Sequence, residues 1–211
     1  DCRDKVSAQG PQSSADIQDR RCSEQFAGVI VPRLRQHLLH VAHKGNRGPD
    51  GAGLVADGHI IKANSIATMQ PQFQKMSGKS ALGHTRLAIV GGTCGAQPFS
   101  SCDGRLVLEH NGEIYNYKKI RKRLEKHHKF STTTDSEVVV HLLEDHLGEN
   151  DLLGGIRRTV EELDGVYALA IQDKETGATA LVRDRIGVRQ LYYADTGRYV
   201  AFASERKALW R

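Results

Sequence analysis

Apolar positions along the chain fall into short runs with two different spacings, and these runs mark out the elements. Residues 1–21 hold almost nothing apolar. Ser, Gln, Asp and Arg dominate there and Gly10-Pro11 interrupts them, so a polar leader or propeptide is expected. Phe26-Ala27-Gly28-Val29-Ile30-Val31 is an apolar run that predicts a buried strand. Pro32 opens a helical pattern with Leu34, Leu38, Leu39, Val41 and Ala42 on one side, stopped by Gly45 and Gly48-Pro49. Residues 53–61 read as a hairpin turning at Asp57-Gly58. Further strands are expected over 80–89 and 106–110.

Helices are expected from about Tyr117 to Lys126, from a cap near Asp135 through Val138, Val139, Leu142 and Leu143, and over about 156–162. The last third reads as strands over 165–173, 178–183, 190–194 and 199–204, several of them parted by hairpin-like turns. Strands therefore come in antiparallel-looking groups with helices between the groups. They do not alternate one-to-one with helices, which points to an α+β layered domain rather than a doubly wound parallel sheet. No repeat or interdomain linker is visible, so residues 22–211 read as one domain.

Composition narrows the class. The 211 residues are 39% hydrophobic and 26% charged, a soluble mixture that excludes wholesale disorder. No apolar stretch approaches the roughly 20 residues of a membrane-spanning helix, and no signal-like segment follows Asp1, so no membrane partner is expected and the expected compartment is the cytoplasm. The formal charge is +5, too small to imply nucleic acid without a basic stripe. The run Lys118-Lys119-Ile120-Arg121-Lys122-Arg123 reads as the solvated face of a helix. Four cysteines (Cys2, Cys22, Cys94, Cys102) form no CxxC pair. None of the ten histidines sits in a metal-binding frame with Cys or Glu, so no metal is expected and His127, His128 and His141 read as surface or capping residues.

Four segments put glycine or polar side chains at strand ends or turns: Arg47-Gly48-Pro49-Asp50, Gly83-His84-Thr85-Arg86, Asn111-Gly112-Glu113 and Thr134-Asp135-Ser136-Glu137. Each alone reads as a turn or a cap. Together they supply a guanidinium for a carboxylate, amide donors, and acidic acceptors for an amine.

These segments occur in order with Gln97-Pro98, Asn111-Gly112-Glu113-Ile114-Tyr115-Asn116, Leu163-Asp164-Gly165-Val166-Tyr167-Ala168, Arg183-Asp184-Arg185-Ile186-Gly187-Val188-Arg189 and Phe202-Ala203-Ser204-Glu205-Arg206-Lys207-Ala208-Leu209. Over roughly residues 26–211 the chain resembles the glutaminase domain of class II glutamine amidotransferases, asparagine synthetase B in particular. The resemblance implies an Ntn-hydrolase four-layer αββα sandwich with two stacked antiparallel sheets. It implies hydrolysis of L-glutamine to glutamate and ammonia by an amino-terminal cysteine whose α-amino group is the base. Asn111 and Gly112 match the oxyanion donors, Arg86 the partner of the glutamine α-carboxylate, and Glu113 and Asp135 acceptors for its amino groups. Leu87, Ile89 and Val90 match the pocket lining. The implied partners are L-glutamine and a synthetase domain or subunit that takes the ammonia, with a homodimer left open. No cofactor is implied for this domain; ATP and Mg belong to the synthetase part.

The nucleophile is the point of departure from the family. Residue 1 is Asp, and Cys2 lies 45 positions before Arg47, too far for the usual arrangement. Cys22 lies 25 positions before Arg47 and directly precedes the Phe26–Val31 run, so Cys22 after removal of the leader is the preferred assignment. Cys2 is the alternative nucleophile. Ser23-Glu24-Gln25 does not resemble the family's Gly-Ile start, which leaves open a domain that binds glutamine without hydrolysing it. Gln190 stands where the family commonly has Pro.

Overall fold

Ten strands in two antiparallel sheets form among the residues that the computed structural model describes, namely 25–30 as backbone, 51–56, 58–73, 80–86, 95–148 and 151–209. The first sheet contains β1 (Gln25–Ile30), β2 (Gly51–Ala56), β3 (His59–Ala63), β4 (Ser80–Arg86), β9 (Tyr192–Asp195) and β10 (Val200–Ala203), in the order β3-β2-β4-β1-β10-β9. The second contains β5 (Phe99–Ser100), β6 (Leu106–Ile114), β7 (Gly165–Asp173) and β8 (Thr179–Arg183), in that order. Every strand pair is antiparallel. The helices are α1 (Ile66–Phe73), α2 (Tyr117–Leu124), α3 (Asp135–Leu147) and α4 (Leu152–Glu162), and a 3-10 turn covers Arg206–Leu209.

Side-chain alternation explains the layering. In β4 and β2 one set of residues, Leu82 and Val55, points into a seam shared with Val107, Ala168 and Ala170 of the second sheet and Phe202 of β10. The other set, Ala52, Leu54, Ala56 and Ala81, packs outward against Met69 of α1. On the second sheet the outward set is Leu106, Leu108, Ile114, Leu169 and Ile171, covered by Val139, Val140 and Leu143 of α3 and Ile156 of α4. Helix, sheet, sheet, helix is therefore the order of layers, as the sequence resemblance implies. Each fully buried Val or Leu contributes roughly 1.5–3 kcal/mol, and the seam and the two outer interfaces together hold the sandwich.

Most expected elements are found. The hairpin turns where expected: Ala56 pairs with His59, and Gly58 adopts φ +83. The basic run lies on α2, with Ile120 and Leu124 buried and Lys118, Lys119, Lys122 and Arg123 exposed. The helix expected from Pro32 lies outside the described residues, as does the proposed leader. Two elements were not expected. Helix α1 contains Pro71, yet it is started by reciprocal bonds, in which Ser65 Oγ accepts from Thr68 N–H and Thr68 Oγ1 accepts from Ser65 N–H. Strand β5 is two residues long, below what periodicity reveals. Helix α4 begins at Leu152 rather than near 156, because Asp151 caps it through Gly154 N–H at 2.6 Å.

Glu109 is a buried acid in the seam. It shares the inner face of β6 with Val107, is fully buried, and neither carboxyl oxygen hydrogen-bonds to a described residue. Burial pushes its carboxyl well above the ordinary value of 4.5, so it is held neutral. A raised carboxyl pKa leaves the folded state holding a proton that the unfolded chain has lost. The fold is therefore destabilised as pH climbs above 4.5. Glu109→Gln is expected to raise stability at pH 8 and to leave it nearly unchanged below pH 4.5, as denaturant melts at the two pH values would measure.

Candidate active site

Asn111-Gly112-Glu113 lies in the C-terminal half of β6, which runs on past the expected end at His110 to Ile114. Gly112 has φ +150, and a Cβ there would stand 2.0 Å from the Val166 carbonyl oxygen and 2.8 Å from the Tyr167 Cα. Only glycine fits. On the facing strand a Cβ at Gly165 would stand 2.3 Å from the Glu113 carbonyl oxygen. Strands β6 and β7 thus meet backbone to backbone beside the Asn-Gly pair.

Four consecutive side chains at the head of α3 each hold a different partner. Thr134 caps the helix, its Oγ1 accepting from Glu137 N–H at 3.4 Å. Asp135 Oδ2 accepts from Ile114 N–H at 2.9 Å. Ser136 Oγ lies 2.8 Å from His110 Nδ1. Glu137 accepts from Ser131 N–H and Thr132 N–H, both at 2.7 Å. The cap is thus Thr134 rather than Asp135, which releases Asp135 to reach β6. Gln97 grips His110 from the other side: Oε1 accepts its N–H at 2.6 Å, and Nε2 donates to its carbonyl at 2.7 Å. Since Phe99 pairs with Leu108, Gln97 sits where the β5 ladder would continue, and its side-chain amide replaces a strand partner. Asn111–Glu113 is therefore fixed at both flanks.

Arg86 ends β4 and is buried. Its Nη2 lies 2.6 Å, and the Thr134 methyl 2.4 Å, from where a Cβ on Gly95 would be, so the guanidinium reaches the head of α3. His84 shares the inner face of β4. Burial, then the nearby His110 and Arg86, push it down to about 3, so it is neutral. His110 is likewise lowered by burial, with Arg189 acting the same way and Asp135 opposing. The antiparallel register Gln25↔Thr85 brings the chain into β1 at the Arg86 end of the first sheet. Asp184 shapes the 185–189 loop nearby. Burial opposes its ionisation, but the N–H groups of Val188, Arg189 and Gly187 hold its carboxyl below the usual range.

Of the residues singled out by sequence, Arg86, Asp135 and the Asn111–Glu113 stretch converge at one end of the sandwich. Cys2, Cys22, Leu87, Ile89 and Val90 lie outside the described residues. Sequence reasoning missed the supporting roles of Gly95, Gln97, Ser136 and His84. Thr134–Glu137 carried a signal, but it was that of a simple cap.

Two stacked antiparallel sheets between helical layers, with Arg86, Asn111–Glu113 and Asp135 gathered at one end, make up an Ntn-type sandwich. A family model described as "Glutamine amidotransferase domain" matches residues 26–211. The chain belongs to that family. A Methanocaldococcus jannaschii protein named for glutamine-hydrolysing asparagine synthesis is 43% identical over 194 residues, which is 92% of this chain and 32% of that one. Asparagine synthetase 2 (glutamine-hydrolysing) of Bacillus subtilis is 38% identical over 156 residues, 72% of this chain and 20% of that one. The chain thus spans a third or less of these relatives' lengths. Among solved structures, the glutamine PRPP amidotransferase of B. subtilis with ADP and GMP superposes with a TM-score of 0.72 at 30% identity, over 88% of this chain and 42% of that one.

Gly112→Ala is expected to cost about 2–4 kcal/mol, from the disfavoured φ and the forced separation of β6 from β7. Gly177→Ala, where φ is +73 but an added Cβ meets nothing within 4 Å, is expected to cost only about 1–2 kcal/mol. Equal losses in urea melts would refute the close-approach argument.

Proposed function

We propose that this domain hydrolyses L-glutamine to glutamate and ammonia through the Cys22 thiolate, and passes the ammonia to a synthetase domain or subunit of asparagine synthetase type. The reading rests on one observation above the others. Arg86, the Asn-Gly pair of β6 and Asp135 gather at the end of the sandwich where the chain enters β1, and Cys22 stands three positions before Gln25.

The buried Arg86 guanidinium holds the α-carboxylate through a planar two-point contact. Asp135 and Glu113 accept from the α-ammonium, with one oxygen of Asp135 already fixed by Ile114 N–H. Leu87, Ile89 and Val90 follow β4 and line the substrate chain. The Cys22 sulfur attacks the side-chain amide carbon, and the free α-amino group of residue 22 takes the thiol proton. The Asn111 side-chain amide and the Gly112 N–H receive the oxyanion, and rigid donors do this without reorganising during the reaction. Collapse expels ammonia, which carries away the proton from the α-amino group. Water then attacks the thioester, releasing glutamate and restoring the thiol. The hydrolysis needs no cofactor; ATP and Mg belong to the synthetase reaction. The α-amino base exists only once the chain is cleaved before Cys22, so that cleavage is part of the proposed mechanism.

Two measurements test this. In protein whose amino terminus is shown by intact mass to be Cys22, Cys22→Ala is expected to abolish ammonia release from glutamine; undiminished release would refute the assignment. Arg86→Ala is expected to raise the glutamine KM about 10–100-fold, as loss of a charged hydrogen-bond pair implies, and an unchanged KM would remove Arg86 from the site. No release from a chain that begins at Cys22 would mean a glutamine-binding domain without catalysis.

A further inference from the structure

Two histidines expected at the surface are not there. His141 is buried, and the His128 side chain is only 7% exposed. Both turn a ring nitrogen toward Cys102 and Glu144. His128 Nδ1 lies 3.4 Å from Cys102 Sγ and 3.2 Å from a Glu144 carboxylate oxygen, Oε2. His141 Nδ1 lies 3.6 Å from the same sulfur and 3.2 Å from the same oxygen. One donor atom from each of the four residues falls within 4.8 Å of the other three.

We propose that Cys102, His128, His141 and Glu144 form a tetrahedral binding site for a divalent transition-metal ion of zinc type. Four ligands placed tetrahedrally about 2.0–2.3 Å from one ion stand about 3.3–3.8 Å apart, which is the spacing seen between the sulfur and the two ring nitrogens. The donor set of one thiolate, two imidazoles and one carboxylate suits zinc. With all four positions supplied by protein, the site is structural rather than catalytic.

The surroundings orient the ligands. His128 Nε2 lies 2.7 Å from Asp145 Oδ1. A proton on Nε2 facing that carboxylate leaves the Nδ1 lone pair directed into the cluster. Asp145 is itself held by His127 Nε2 at 3.0 Å. His141 Nε2 faces Glu137 Oε1 at 3.9 Å, beyond hydrogen-bond length but with a carboxylate on the side opposite the cluster. Glu144 is positioned by the main chain of the 101–104 turn, its Oε2 accepting from Cys102 N–H at 2.9 Å and its Oε1 from Asp103 N–H at 3.3 Å. His141 and Glu144 are three residues apart on one face of α3.

The ion would tie three separate pieces together: the turn between β5 and β6, the segment after α2, and α3. The cluster lies about two turns along α3 from Asp135, so it is a separate site from the one proposed for glutamine.

The test uses the full chain stripped with chelator and then titrated with Co2+ and Zn2+. One Co2+ per chain is expected, with intense visible bands of four-coordinate cobalt and a thiolate-to-cobalt charge-transfer band. Cys102→Ser is expected to abolish the charge-transfer band and weaken Zn2+ binding at least tenfold. The Cys2→Ser/Cys22→Ser/Cys94→Ser protein is expected to keep the band. His128→Gln, a variant that retains the sulfur, is expected to lose the four-coordinate spectrum. Chelator is expected to lower the Tm of the wild type and not that of Cys102→Ser. Absence of stoichiometric metal in the wild type, or a charge-transfer band surviving in Cys102→Ser, would overturn the proposal.

Discussion

Asp135 and Ser136, adjacent at the head of α3, take hold of β6 on either side of Asn111–Gly112, one through the Ile114 N–H and the other through the His110 ring. The grip has no slack, because the opposite edge of β6 runs backbone to backbone against β7 at Gly112 and Gly165. Gln97 closes the remaining side through both main-chain groups of His110. A peptide held on all sides cannot rearrange when charge appears nearby, and this is what a site that stabilises an oxyanion requires. The apolar layers serve this arrangement. Val139, Val140 and Leu143 seat α3 on the outer face of the second sheet, which sets where its first turn falls.

The electrostatics follow from the same packing. The seam is apolar at its middle, through Val55, Leu82, Val107 and Phe202, and turns polar toward the Arg86 end. Burial keeps His84 and His110 neutral, so they add no charge to that end. Glu109 stays neutral for the same reason, two residues before Asn111 on the same face. The buried Arg86 guanidinium stands at the head of α3, with Arg189 also near enough to act on His110. The proposed glutamine site uses that distribution, with the carboxylate at Arg86 and the ammonium at Asp135 and Glu113.

Much of the fold was legible because its strands are short apolar runs bounded by turn residues. Strand β2 is buried on both faces, Val55 toward the seam and Leu54 toward α1, and it showed as an apolar run before Asp-Gly. Helix α1 was hidden by Pro71, and β5 by its two-residue length. Arg86, Asn111, Gly112 and Asp135 could be named from ordered motifs: Arg86 ends β4, Asp135 opens α3, and Asn-Gly punctuates the pattern inside β6. What supports them could not. Gln97 acts through a side chain that imitates a strand, and Ser136 through a bond to a histidine 26 residues away in sequence. Cys102, His128, His141 and Glu144 have no common spacing, because three separate segments bring them together. Glu109 looked like an ordinary strand residue, and only the cover on both faces of β6 makes its burial evident.

The account stands or falls on which atom attacks glutamine. A diazoketone analogue of glutamine alkylates the attacking sulfur irreversibly, and peptide mass spectrometry then reports the residue. Treatment of the processed protein is predicted to give a single adduct on Cys22, prevented by excess L-glutamine. An adduct on Cys94 or Cys102 in its place, or no adduct on a chain that begins at Cys22, would contradict it.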